Sequence, residues 1–336
     1  MPSRHGRGYV RVGETSMLSD FMKRGLKGAP SIADEPSDRN RRNFMRGVGA
    51  VTAGAAATAL TSGSSHAQSA PGDVAILTFA LNLEYLEAEF YSRAAYGYGL
   101  GQANTGNAQS KVIGGQQVNF SSPLIKAYAQ EIAQEERKHV LFLRAALGSS
   151  APNEPVIDLV NSFKTLGMAS GLSSDFNPYA DDMSFMLAAY IFEDVGVTAY
   201  HGAAGAISYK PYLDRAAGIL AVEAYHAGLV RTVLFANDQM QATAAISNLR
   251  ATLDGTYNTP NVDDHGVGNT TYPHIVNCSD NSNGSLLGGF PSNTPPGNNA
   301  IAYDRTTQQV LNIVYGGVGA TKGLFFPNGM NLSPPG

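Results

Sequence analysis

Two Glu-x-x-His quartets stand out in the chain, Glu136 to His139 and Glu223 to His226. Each follows an isolated glutamate on its own helix-like segment, Glu84 and Glu193. Glutamate and histidine at i and i+3 share one helix face, so both can reach one ion. Four carboxylates and two imidazoles on four helices form the ligand set with which a four-helix bundle holds a pair of iron or manganese ions. The spacing predicts Glu84 and Glu193 as terminal ligands, Glu136 and Glu223 as bridges, and His139 and His226 as one ring-nitrogen donor to each ion. Oxygen and nitrogen donors suit iron and manganese alike, and the residues do not choose between them.

The two halves repeat. A shift of 109 residues carries Asp73, Ala80, Glu84 and Tyr91 onto Asp182, Ala189, Glu193 and Tyr200. A shift of 87 carries Glu136, His139 and Arg144 onto Glu223, His226 and Arg231. Two helical hairpins of one design, related by a pseudo-twofold axis, follow. Glu87 falls on Gly196 and so loses its claim as a paired ligand; it stays a spare ligand at most. Tyr91 and Tyr200 lie about two turns beyond their glutamates on the same face. They are candidate catalytic residues, as hydrogen-bond donors or redox-active groups, with core tyrosines as the plainer alternative. Glu84 and Glu193 sit among large apolar residues, where a carboxylate needs a partner.

The elements that carry these residues can be read from apolar periodicity and punctuation. Helices are expected over about 73–96 with Asp73 as N-cap, 123–147 behind Ser122 and Pro123, 182–204, and 211–235. Residues 97–121 read as a loop, and 149–181 as a long crossover with a short helix near 156–166. Beyond 235, a helix over 242–253 and a short one from the capping-box spacing at Thr306 to about Tyr315 are expected. Residues 255–300 read as irregular coil, and no chemistry attaches to 255–336. Glu87, Glu89, Glu131 and Glu135 are expected on exposed faces or near the site entrance, with structural duty the plainer role for Glu87. His201 is expected at the surface or in packing. Asp263, Asp264 and His265 read as a polar turn, with a surface metal site the weaker alternative. Arg144 and Arg231 are expected to pair with acidic groups near helix ends.

Composition narrows the classes. The net charge of −4 gives no footprint for nucleic acid, and the single cysteine, Cys278, rules out an intrachain disulfide. Residues 1–67 read as an export signal: Arg41-Arg42-Asn43-Phe44-Met45-Arg46 is a twin-arginine pattern, an uncharged stretch follows, and Ser65-His66-Ala67 resembles a cleavage site. The length before Arg41 points to a translation start at Met17 or Met22. The apolar stretch is too rich in Gly and Thr for a stable membrane span, so the mature form has none. Export by the twin-arginine machinery, to the periplasm or outside the cell, suits a domain whose metal is loaded on folding.

The segments 81–91, 136–144, 308–316 and 325–331 resemble the ferritin-like superfamily. More closely, they are similar to exported ferritin-like domain proteins related to plant desiccation-related proteins, over about residues 72–331. The resemblance implies an all-α ferritin-like four-helix bundle at 68–240, two hairpins joined by a long crossover. It also implies a C-terminal extension at 241–336, irregular but for a short helix, packed on or beside the bundle. Two ions, iron or manganese, acting on O2 or H2O2 are expected, with ferroxidase, peroxidase and manganese-catalase-like chemistry left open and a homo-oligomer allowed. The location and the family favour protection from oxidative or desiccation stress. The alternative is a non-enzymatic structural protein in which metal only stabilises the fold.

Overall fold

The computed structural model describes residues 71–106, 111–257, 263–268 and 302–332. The twin-arginine pattern, the cleavage site and Cys278 lie outside the described residues. The helices are α1 (Pro71–Tyr96), α2 (Gln102–Thr105), α3 (Pro123–Leu147), α4 (Asn161–Ala169), α5 (Asp182–Ala204), α6 (Lys210–Ala236), α7 (Met240–Asp254) and α8 (Thr307–Tyr315). A two-residue parallel pair, Val112–Ile113 with Ile157–Asp158, ties the first loop to the crossover. The fold is all-α, as expected: α1 packs on α3, α5 packs on α6, and α1 also meets α5.

The helix signals act locally as read. Ser122 accepts a hydrogen bond from the backbone of Ile125, with Pro123 at the first position of α3. Asp181 caps α5, and Thr306 with Gln309 forms a reciprocal capping box on α8. One cap is corrected. Asp73 lies inside α1 and accepts instead from the backbone N–H groups of Ser208 and Tyr209, just before α6. Its repeat mate Asp182 accepts from the backbone of Ser121 and Ser122 and from the Ser121 hydroxyl, just before α3. Each hairpin's first helix therefore braces the start of the other hairpin's second helix. A carboxylate satisfying orphan N–H groups at a helix start complements the helix dipole as well.

From Leu77 to Tyr91 every residue of α1 is buried. Such a helix needs cover on all sides, and the C-terminal extension supplies the last of it. Asn82 exchanges hydrogen bonds with the backbone of Asn331. Phe325 packs against Phe163 of the crossover and Phe192 of α5. Helix α6 is long and apolar enough to cross a membrane by length and composition, yet it packs on α5 as a bundle helix. The crossover helix begins later than read, at Asn161, because the Asp158 carboxylate accepts from the backbone of Val160 and Asn161.

One buried ion network holds Asp264 and Arg231, and it corrects where each was expected. Asp264 lies in an irregular segment, as read, but is buried: its carboxylate accepts from Arg250 and Arg305, both buried. Arg231 pairs with Asp194 in mid-helix rather than near a helix end, and Arg250 shares that same oxygen. Among the described residues Arg144 meets no acidic partner, donating instead to the Tyr85 hydroxyl and the Pro152 carbonyl. Burial opposes the charge on Asp264, but the guanidiniums of Arg250 and Arg305 hold its carboxyl well below the usual range. Arg305 also donates to Asp254 and Thr198, pinning the segment before α8 to α5 and α7. Removing one partner leaves buried charge uncompensated. Asp264→Ala is expected to cost about 3–5 kcal/mol of folding stability, read as a lower urea midpoint.

Candidate metal centre

The four bundle helices deliver Glu84, Glu136, His139, Glu193, Glu223 and His226 to one buried region. Two sets of donor atoms form. Glu84, Glu136, His139 and Glu223 make one, and Glu136, Glu193 and His226 the other, with all atoms of a set within 4.8 Å of one another. Glu136 belongs to both. Its Oε2 lies 3.2 Å from His139 Nδ1 and its Oε1 lies 3.0 Å from His226 Nδ1. His139 Nδ1 is also 3.2 Å from Glu84 Oε2 and 3.6 Å from Glu223 Oε1. His226 Nδ1 is 3.4 Å from Glu193 Oε2. Glu136 thus offers one oxygen to each set, whereas Glu223 belongs to the first set alone.

Do these atoms fit an ion? Donors at about 2.0–2.2 Å from one ion stand roughly 3 Å apart at right angles and about 3.5 Å apart in a tetrahedron. The separations above fall in that range. More telling, Glu136 Oε1, Glu193 Oε2, both oxygens of Glu223 and His226 Nδ1 are buried without a hydrogen-bond partner among the described residues. His226 Nδ1 and Glu136 Oε1 are close yet misaligned for a hydrogen bond. Buried polar atoms are rarely left so. Atoms that converge on a common point rather than on each other suit a cation between them.

The tyrosines hold the outer oxygens. Tyr91 of α1 donates to Glu193 Oε1 of α5, and Tyr200 of α5 donates to Glu84 Oε1 of α1. Each terminal carboxylate therefore gives one oxygen to a tyrosine across the bundle and turns the other inward. The exchange is reciprocal, as the repeat requires.

Two breaks in the repeat matter. A Cβ on Gly196 would lie 2.1 Å from Glu223 Oε2 and 3.5 Å from Glu87 Oε1. The glycine opposite Glu87 is thus the space that Glu223 occupies. Glu87 itself is buried beside the centre, not on an exposed face as expected, and belongs to neither donor set. Glu89 is buried too, contrary to expectation, because Arg93 and the backbone of Leu100 satisfy its carboxylate. Glu131 is exposed, and Glu135 sits at the rim with its Oε2 2.8 Å from His226 Nε2. No sequence spacing signals that contact, since it joins α3 to α6 through space. His201 is half-buried, away from the cluster.

The electrostatics show what the metal-free cluster must do. Burial, and then the Glu136 charge, drive Glu84 up to about 7 against the pull of His139. Burial pushes Glu87, Glu193 and Glu223 upward, each with help from neighbouring carboxylates. Burial alone would lower the histidines, but Glu84 and Glu136 carry His139 to about 11, and Glu193 with Glu136 carries His226 to about 12. Glu136 is the exception: burial opposes its charge, yet the two histidines hold it below the carboxylate range. Without metal, protons hold the cluster together.

Known proteins resemble this chain over the bundle and beyond it. Residues 72–236 match the model of the ferritin-like domain. The chain is 31% identical to desiccation-related protein PCC13-62 of Craterostigma plantagineum over 251 residues, covering 71% of this chain and 76% of that protein. The chain belongs to the ferritin-like family, among the relatives of desiccation-related proteins. This ferritin-like chain is also 29% identical to the ferritin-like catalase Nec2 of Nesocodon mauritianus over 276 residues, covering 77% of this chain and 83% of that one. No solved structure matches it.

Two outcomes follow. Glu84, shifted from 4.5 to about 7, binds its proton more tightly when folded, so its stabilising contribution is lost as pH rises through that window. The His139 contribution is complete below 6.5 and is lost as pH rises through about 11. The metal-free protein should therefore melt earlier at about pH 8 than at about pH 5, and the rise in Tm on adding metal should grow with pH. Gly196→Ala improves helix propensity by about 1 kcal/mol but takes the space of Glu223 Oε2. Metal bound per chain should fall while helix content, by circular dichroism, does not.

Proposed function

We propose that this chain is a dinuclear, carboxylate-bridged metalloprotein that disproportionates hydrogen peroxide, two H2O2 giving one O2 and two H2O. The observation that carries the reading is Glu136, whose two oxygens each face a different histidine. In this reading Glu84, Glu136, His139 and Glu223 hold one ion, and Glu136, Glu193 and His226 the other. The ions, iron or manganese, supply paired one-electron steps that add up to the two-electron change peroxide needs. Tyr91 and Tyr200 keep each terminal carboxylate turned inward through one oxygen. Their part is to fix ligand geometry at the reacting centre.

The protein's apolar side chains limit what can enter. A cavity of about 20 Å³ beside Glu87 and Gly196 is lined by Leu83, Phe192, Ile313 and Phe325 among others. That is room for about one water-sized molecule. A small guest such as peroxide or dioxygen suits it. Glu87 lines this cavity and belongs to neither donor set. In the metal-free protein, burial and the neighbouring carboxylates push its pKa up. The catalase name of one relative supports peroxide as the substrate. The twin-arginine pattern supports work outside the cytoplasm, and the desiccation-related kinship supports a protective role.

The test is to load the purified protein with manganese(II) or iron(II), quantify the ions, and follow oxygen release from H2O2. One O2 for every two H2O2 consumed is expected. Oxygen uptake with iron(II) and no release from peroxide would replace this reading by a ferroxidase. Full metal loading without either reaction would leave the metal as a structural brace. Tyr91→Phe, which frees Glu193 Oε1, is expected to lower activity or metal affinity by about 10–100-fold.

A further inference from the structure

We infer that the two metal positions are unequal, and that Glu135 is the positioning residue that sustains the position built by Glu136, Glu193 and His226. The inference rests on the dinuclear reading above and deepens it. Glu135 Oε2 stands 2.8 Å from His226 Nε2. An imidazole has two ring nitrogens, and in the neutral form only one carries a proton. With Nε2–H donated to Glu135, the lone pair falls on Nδ1, the atom that faces Glu136 and Glu193 at 3.0 and 3.4 Å. Glu135 thus selects the tautomer the site needs and fixes the plane of the ring.

The other half lacks this device. The shift of 87 that carries Glu136 onto Glu223 carries Glu135 onto Val222. Among the described residues, no hydrogen bond is made to His139 Nε2. The carboxylate count runs the opposite way. Around His139 Nδ1 stand Glu84, Glu136 and Glu223, whereas around His226 Nδ1, among the described residues, stand Glu136 and Glu193. One position has an extra direct carboxylate, and the other has an outer one acting through its histidine. A carboxylate behind a ligating histidine raises its basicity and changes metal affinity by about 10–100-fold. The position with fewer direct charges is the one that depends on it.

Glu135 lies at the rim, its side chain 34% exposed, so a neutral replacement leaves no buried charge behind. The experiment compares the whole protein with Glu135→Gln and Glu135→Ala by equilibrium dialysis against manganese(II), with electron paramagnetic resonance of the bound ions. Glu131→Gln, an exposed glutamate on the same helix, serves as control. Two ions per chain are expected in the parent. In Glu135→Ala one ion should bind about 10–100-fold more weakly and the other within about threefold. At intermediate metal the coupled-pair spectrum should give way to that of an isolated ion. Glu135→Gln, which keeps an acceptor oxygen without the charge, should fall between. Equal weakening of both ions would overturn the inference, as would an unchanged isotherm, even with two ions bound in the parent. A parent that does not bind two ions would remove the dinuclear reading and this inference with it. Melting of the metal-free variants at the parent temperature would separate lost metal binding from a lost fold.

Discussion

Mutual repulsion among buried carboxylates is the constraint around which this molecule is arranged. Glu84, Glu87, Glu136, Glu193 and Glu223 all lie inside the bundle. At an effective dielectric constant of about 20, two unit charges about 4 Å apart interact by about 4 kcal/mol. Packing alone does not absorb several such terms when a whole domain is stable by only about 5–15 kcal/mol. The charges must be neutralised where they stand. Histidines, protons or cations do so at the centre. Tyr91 and Tyr200 satisfy the oxygens that face away from it.

Holding like charges together also demands a frame that cannot spread. Its braces run between the hairpins rather than within them. Asp73 and Asp182 tie the first helix of each pair to the second helix of the other, and the tyrosine donations cross in the same sense. The aromatic cluster around Phe90, Phe163, Phe192 and Phe325 adds packing that joins bundle, crossover and tail. The tail is therefore structural. Its Arg305 bridges Asp254 and Asp264, and Ile313 and Phe325 wall the cavity beside Glu87.

The twofold pattern is followed wherever both halves meet the same need and broken where they do not. Gly196 stands opposite Glu87 because Glu223 fills the space a side chain would take. Val222 stands opposite Glu135, so only His226 has an outer carboxylate. Two similar half-sites thus differ in the groups behind their ligands.

Much of this was legible in the chain. The Glu-x-x-His spacing, the repeat and the caps depend on residues close in sequence, and local geometry fixes which face they share. These determined the four bundle helices, the crossover and the six residues that meet at the centre. What only the tertiary structure decided are relations between elements distant in sequence. These are the depth of Glu87 and Glu89, the one-sided placement of Glu223, the contact from Glu135 to His226, and the burial of Asp264 among arginines. Exposure is settled by what packs on a residue. For α1 the cover comes partly from Asn331, 249 positions from its partner Asn82. Periodicity shows which face of a helix is apolar, but it carries no record of what later covers its polar face.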